Sequence, residues 1–385
     1  MGYGMTRRGF LSHSAMGLAA AAGCRRMRMN PVKLGKVFPA YTDPVTGAQV
    51  FMLTNDAAKD DVIYQTHPMW TPDMAHLVFK SDRTGGVMLP HALAMDTGEV
   101  RPLVRAGKTP RFTLTWRTAT LFYIDGREVY RVSVEAAYAG AQQPERVAAL
   151  PEDVEMLAGS LSVNAGETVL YAGAQLKADK RWAVYALDLT SGSWSRAATV
   201  DFQVGHVQAN PHDDRYVLFC HETGGYAPQR MWLLDAGERS CRPLYESPSK
   251  EWVTHEVWWG PERVIFTIWP YDEAHKQQAH GVCWSAIADG ERRLLSQYPA
   301  WHTHGSPDGR WAMGDDFDRN IWLIDADSGA RRLLTQGHSA GGHKTHPHGS
   351  FTPDSRGIVF NSSRNETADI YLVALPAWPQ LPETQ

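Results

Sequence analysis

From about residue 40 onward one pattern recurs seven times, and it constrains the fold more tightly than any single motif. Each copy opens on a polar turn of the form S/T-P-D-x and runs into a short apolar strand. A polar loop and a second strand ending in Asp follow, then a Gly turn and a last strand ending in Leu. Three copies are sharp: Thr71-Pro72-Asp73 before HLVFKSDR, Ser306-Pro307-Asp308-Gly309 before RWAMGDD, and Thr352-Pro353-Asp354 before GIVFNSSR. Weaker copies start near Leu114, Ser162, Asn210 and Trp258. The spacing is roughly 43 to 49 residues, the period of a repeat built from several short strands. No stretch shows sustained helical periodicity, and the glycines, prolines and tryptophans (33, 23 and 14) favour turns and strands. The expectation is an all-β chain, a seven-bladed β-propeller, with a two-sheet sandwich plus a separate domain as the competing architecture.

The last copy lacks its outer strand after Leu375. The segment Asp43 to Thr54 repeats the missing ending, a Gly turn followed by a strand closing on Leu-Thr. Residues 47–54 are therefore expected to join the seventh blade and close the ring, which removes the free sheet edge.

The first 30 residues read as an export signal and linker, with the propeller over 31–385. Arg7-Arg8-Gly9-Phe10-Leu11 and the small apolar stretch Ala15 to Gly23 resemble a twin-arginine signal. Ala21-Ala22-Gly23-Cys24 resembles a lipoprotein cleavage site, so a lipid anchor at Cys24 and a periplasmic or exported location are expected. A net charge of −4 offers no basic field for nucleic acid. Cys220, Cys241 and Cys283 have no CxxC spacing and suggest neither a metal site nor a disulfide framework, although an oxidising compartment would permit one pair.

Chemistry concentrates in the histidines. GGHKTHPHGSFTPD places His343, His346 and His348 within six residues, and strand alternation puts His346 and His348 on one face. Neutral imidazole is the commonest side-chain ligand for transition metals. The residues just ahead of each S/T-P-D turn lead toward the central channel. Read in turn they give Gln65-Thr66-His67, Gln208 in VQAN, His255-Glu256, His302-Thr303-His304, and His343 to His348. Two motifs mislead. Gly337-His338-Ser339-Ala340-Gly341 fits G-x-S-x-G, but no helix-forming sequence follows. His255-Glu256 opens an H-E-x-x-H zinc motif that fails at Trp259.

His302 ahead of Asp308, together with TQGH and THPHGSFTPDSRGIVFNSSR, resembles the oligogalacturonate lyases, manganese-dependent seven-bladed propellers that cleave short pectin fragments by β-elimination. The resemblance runs through most of the chain after residue 40 and is strongest from Asn210 to Tyr371. It implies a divalent metal, Mn²⁺ first, held by His302, His346 and His348. His343 stands where the family often has Gln, a change that softens the site toward Fe, Ni or Zn; His304 is the rival of His302. The resemblance further implies His255 as the base and Arg230 as an active-site arginine, with a uronate oligosaccharide as substrate. His221, Gln208, His67 and Arg83 are the expected substrate contacts. The rival class is a non-catalytic periplasmic propeller, similar to the Tol-associated ones that share the S-P-D-G turn.

Overall fold

The computed structural model describes residues 28–247, 251–270, 272–339 and 345–383. The twin-arginine segment, Cys24 and His343 lie outside the described residues. Six four-stranded antiparallel sheets and one five-stranded sheet form the seven blades. Their inner strands are Asp60–Val62, Arg111–Leu114, Val154–Val163, Val204–Ala209, Glu251–Trp258, Ala300–Gly305 and Ser350–Phe351, blades 1 to 7 in order. Besides strands the described residues form two short α-helices, Pro31–Val37 and Val134–Tyr138, and two single 3-10 turns, Glu273–His275 and Trp378–Gln380. No helix among the described residues is long and apolar enough to cross a membrane.

The S/T-P-D turns repeat for a physical reason. The hydroxyls of Thr71, Ser306 and Thr352 donate to Asp73, Asp308 and Asp354 at 2.6, 2.6 and 2.7 Å. The same hydroxyls accept from the backbone N–H five residues on, that of His76, Trp311 or Gly357, at 2.9–3.0 Å. One oxygen therefore closes the turn and seeds the second strand. The turn residue's own N–H bonds the first carbonyl of that strand in every blade: Thr71 to His76, Thr115 to Thr120, Asn164 to Val169, Asn210 to Tyr216, Trp259 to Arg263, Ser306 to Trp311 and Thr352 to Gly357. These seven bonds give a common register along the inner strands.

The ring closes through Gln49–Met52, which pairs antiparallel with the last strand: Val50 with Val373, Phe51 with Leu372, Met52 with Tyr371. Strand alternation sends Val50 into the core shared with Ile321, Leu323 and Leu334 of blade 6. Phe51 goes the other way, into the core shared with Leu77, Val78 and Leu93 of blade 1. One short segment thus joins both neighbours of blade 7. Asp43 ties it down further, accepting from Thr335 Oγ1 and Gln336 N at 3.0 Å. A fifth strand, Ala40–Thr42, pairs outside it and was not foreseen in the sequence. Cys220, Cys241 and Cys283 are all free thiols, so the cysteine pair that an oxidising compartment would permit does not form.

Phe51 is 1% exposed, so Phe51→Ala should cost about 3–5 kcal/mol of stability by chemical denaturation. Val45→Ala, at a site 54% exposed, should change it by less than about 0.5 kcal/mol. Equal effects at the two positions would show that the closing strand does not hold the ring.

Candidate functional site

Counting back four residues from each turn residue in the common register gives His67, Arg111, Ser160, His206, His255, His302 and His348. Five of the seven blades carry imidazole at this one position. Backbone irregularity there aims the rings. In blades 4, 5 and 6 the inner-strand register slips between Gly205 and Gln208, Thr254 and Val257, and Ala300 and Thr303. Such bulges redirect side chains out of the pleat. His206, His255 and His348 reach the left-handed region, with φ of 43°, 58° and 46°.

Three of these rings, His206, His302 and His348, meet around Tyr64 of blade 1, and His255 joins them through His302. The centroid of His302 lies 4.3 Å from that of His255 and 4.3 Å from that of His348. His346 stands 5.5 Å from His302 and 6.0 Å from His348. Tyr64 lies 5.2 Å from His348 and 5.4 Å from His206. His304, two residues past His302, instead packs against Phe351 and accepts from its N–H at 3.4 Å.

Second partners orient the rings. His302 Nδ1 bonds Asp315 Oδ2 at 2.9 Å, and its backbone N–H bonds Oδ1 at 2.7 Å, which turns Nε2 toward the channel. Burial pushes Asp315 up to about 7, so it shares a proton readily with this imidazole. Thr267 Oγ1 donates to the carbonyl of Trp301 at 2.9 Å, so at 3.3 Å it accepts from His255 Nδ1 and leaves Nε2 with the lone pair. His346 Nδ1 accepts from Trp301 Nε1 at 3.1 Å. Burial, reinforced by neighbouring imidazoles, holds His255 and His302 well below the usual value, and takes His348 down to about 3. All three are neutral at pH 7.

A charged network adjoins them. Arg230, buried, bonds Glu256 at 3.2 Å through Nε and faces Glu222 at 3.7 Å through Nη1. His206 Nδ1 meets the other Glu256 oxygen at 2.9 Å. Although burial opposes ionisation, Arg230 and His206 hold the Glu256 carboxyl far below the ordinary carboxylate range. Sequence reasoning missed His206, Asp315 and Tyr64, and it placed Glu256 at the channel beside His255 without giving it a role.

Among the described residues, the ligating atoms that lie within 4.8 Å of one another in a group of three belong to His206, Cys220 and Glu256. The imidazoles of His302, His346 and His348 are gathered but more widely set. The donor chemistry nevertheless favours the imidazoles. Glu256 is already paired with a guanidinium, and burial pushes the Cys220 thiol well up, so it stays protonated. Burial lowers the basicity of all three histidines, and His302 has the carboxylate backing that metal-bound imidazoles use, while His346 would have to offer a metal the Nδ1 that accepts from Trp301.

The remaining expected residues are placed as follows. Gln208 Nε2 donates to the Glu256 carbonyl at 2.9 Å. His221 stacks on Phe202 at 4.5 Å, and its carbonyl faces Arg230 Nη1. His67 bonds Thr66 and lines a cavity of about 170 Å³ with Tyr64, Arg111 and Ser160. Arg83 is engaged with Asp56 and Asp60 at 2.9 and 2.6 Å, within the first blade. A larger, mostly apolar cavity of about 350 Å³ lies beside the Pro31–Val37 helix and holds none of these residues.

Fold and site together define a seven-bladed propeller whose channel is lined by oriented, neutral imidazoles. An oligogalacturonate lyase of Vibrio parahaemolyticus has the same fold, with a TM-score of 0.77 at 21% identity over 88% of this chain and 97% of that one. An oligogalacturonate lyase in complex with manganese superposes equally well, with a TM-score of 0.77 at 23% identity over 89% and 96% of the two chains. In sequence, an oligogalacturonide lyase of Pectobacterium atrosepticum is 24% identical over 213 residues, 49% of this chain and 54% of that protein. The match thus spans about half the length of the curated relatives. No family model matches the chain. The resemblance read from the sequence stands: this chain is similar to the oligogalacturonate lyase family and shares its fold.

Glu256→Gln should lower stability by about 3–5 kcal/mol, because it strands a buried guanidinium. Glu222→Gln, at a half-exposed carboxylate, should cost far less. In wild type the Glu256 contribution is full above the ordinary carboxyl value of 4.5 and fades as the pH falls below it. Urea titrations of the two variants at neutral pH check this. Equal stability of Glu256→Gln and wild type would remove the network from the account.

Proposed function

We propose that this protein is a divalent-metal-dependent lyase that cleaves short uronate oligosaccharides, oligogalacturonides first, by β-elimination. The observation that carries the proposal is a neutral His255, its Nδ1 tied to Thr267, with its ring against the His302–His348 pair. The names of the sequence relatives and the manganese complex of a fold relative support the same reading. His302, His346 and His348 would hold the metal, with His343 as the expected further ligand. Mn²⁺ is the first candidate, and Fe, Ni or Zn become competitive if His343 binds. Bound there, a divalent cation supplies Lewis-acid stabilisation to a substrate carboxylate.

The chain's own groups supply the remainder. The reaction breaks C5–H and C4–O bonds, forms the C4=C5 double bond and leaves an unsaturated uronate. His255 Nε2 takes the C5 proton; an imidazole kept neutral by its surroundings is ready to accept it at neutral pH. Arg230 supports the developing charge on the carboxylate. Its Nε is committed to Glu256, while Nη1 faces the His221 carbonyl at 3.5 Å and the partly exposed Glu222 at 3.7 Å, and a substrate carboxylate would displace Glu222. Glu256 and His206 fix that guanidinium from below. Gln208, His221, His67 and Arg83 remain the expected sugar contacts, and export to the periplasm, with lipidation at Cys24, belongs to the same proposal.

The test is ultraviolet absorbance of the conjugated unsaturated uronate, with di- and trigalacturonate and Mn²⁺, with and without chelator. A chelator-sensitive rise is expected. His255→Ala should lower kcat by about 10²–10⁴-fold and keep the metal by elemental analysis. His302→Ala and His346→Ala should lose metal and activity together, whereas His206→Ala and Cys220→Ser should retain metal. Metal lost only in the latter pair would place the ion at His206, Cys220 and Glu256. Wild type with neither metal nor turnover would leave a binding propeller.

A further inference from the structure

Beside the imidazole cluster the channel rim of blades 5 and 6 is aromatic and carries an arginine that no carboxylate of the described residues pairs with. Trp301 is the pivot. Its ring centroid lies 4.9 Å from that of His255, 4.9 Å from that of Phe317 and 5.5 Å from that of Trp252. Trp269 packs edge-on to Phe317 at 4.7 Å. The indoles are pinned: Trp301 Nε1 donates to His346, Trp269 Nε1 to the Ala300 carbonyl at 2.6 Å, and Trp252 Nε1 to the Gly224 carbonyl. The wall is nevertheless open, since Phe317 is 49% exposed and Trp252, Trp269 and Trp301 are only partly buried. Rigid aromatic surface left open beside a polar site marks a binding groove.

Arg319 closes the edge of this wall. It adopts a left-handed backbone at φ 62°, a conformation disfavoured for a non-glycine residue. Its Nη1 donates to the Phe317 carbonyl at 2.7 Å and its Nε to the Thr345 carbonyl at 3.2 Å, next to His346. Among the described residues no carboxylate pairs with it. A guanidinium fixed by two neutral carbonyls keeps its full charge and its remaining N–H groups for an incoming anion.

We infer that the Trp301–Phe317 wall and Arg319 form a second sugar subsite, taking a hexuronate ring next to the one processed at His255. The apolar C–H face of that ring lies on the wall, and its carboxylate pairs with Arg319. This rests on the uronate reading above and extends it. A neutral sugar would leave Arg319 unmatched, and a simple anion would leave the wall bare. The two features together select an acidic pyranose.

The test combines digalacturonate kinetics with tryptophan fluorescence titration of the metal-loaded protein, using Arg319→Met, Arg319→Lys and Phe317→Ala. For Arg319→Met and Phe317→Ala the loss should fall on KM, roughly tenfold, more than on kcat, with metal content unchanged. Arg319→Lys should recover part of it. The methyl ester of digalacturonate should bind wild type about as weakly as the free acid binds Arg319→Met, and the substitution should not weaken the ester further. Unchanged KM and unchanged fluorescence titration in Arg319→Met would overturn the subsite while leaving the lyase reading intact. If wild type turns over no uronide, fluorescence decides alone. Digalacturonate binding weakened by Arg319→Met sustains the subsite as the lyase reading falls, and no binding to wild type removes both.

Discussion

The pairing of Gln49–Met52 with Tyr371–Val373 is a contact between opposite ends of the chain, and every feature of the site depends on it. No single blade owns the site. Tyr64 comes from blade 1, His206 from blade 4, His255 from blade 5, His302 from blade 6, and His346 and His348 precede the inner strand of blade 7. The centroids of neighbouring rings fall 4.3 to 6.5 Å apart because a closed ring of seven sheets sets the width of its channel. An open ring would relax by twisting, as strongly twisted sheets do, and the rings would separate. Val50 and Phe51 are buried in different cores for this reason. The strand carrying them is a rivet between blades 6 and 1 through blade 7.

Inside that frame the site concentrates opposite charges where water is scarce. Arg230 and Glu256 are both nearly inaccessible, and a buried pair of this kind adds little stability relative to apolar side chains of the same size. Its use is geometric. Glu256 takes Arg230 Nε on one oxygen and His206 on the other, so the guanidinium cannot swing, and its free edge points toward Glu222. The imidazoles follow the opposite strategy. Burial and mutual repulsion keep them neutral, the state in which they accept a proton or bind a metal.

The fold was legible because the S/T-P-D turn is a local hydrogen-bonding device that leaves the same letters in three copies, at Thr71, Ser306 and Thr352, and those three set the period on which the weaker copies fall. The site was legible in part. THPHGSFTPD and HE at 255–256 stand out as letters, whereas His206 does not, since the window read in blade 4 began at Val207, one residue too late. A strict count of four back from Asn210 would have found it, as the same count finds His67, His255, His302 and His348. Asp315 was harder, and so was the role of Glu256, which the letters show only as a neighbour of His255. A carboxylate within an inner or second strand reads as an exposed charge unless the bulge that turns it inward is known, and register slips of one residue leave no compositional trace. Arg319 was invisible for a similar reason: its left-handed backbone lies in a loop that sequence treats as punctuation.

The seven positions of the common register also explain why the chemistry sits on one side of the channel. In blade 3 the left-handed residue of the bulge is Gly159, at φ 61°, and a Cβ there would lie 3.1 Å from the backbone nitrogen of His206. Blade 3 thus gives up a side chain so that blade 4 can bring its histidine forward. In blade 2 the register residue Arg111 bonds the carbonyls of Gly159 and Leu157 and so braces that gap. His206, His255 and His348 have no such relief, and left-handed backbone costs about 1–2 kcal/mol for each of them. A chain selected for stability alone would place Gly or Asn at these three positions. Imidazole persists there at a cost in strain, against the direction that folding favours, which is the expected mark of groups kept for what they bind and deprotonate.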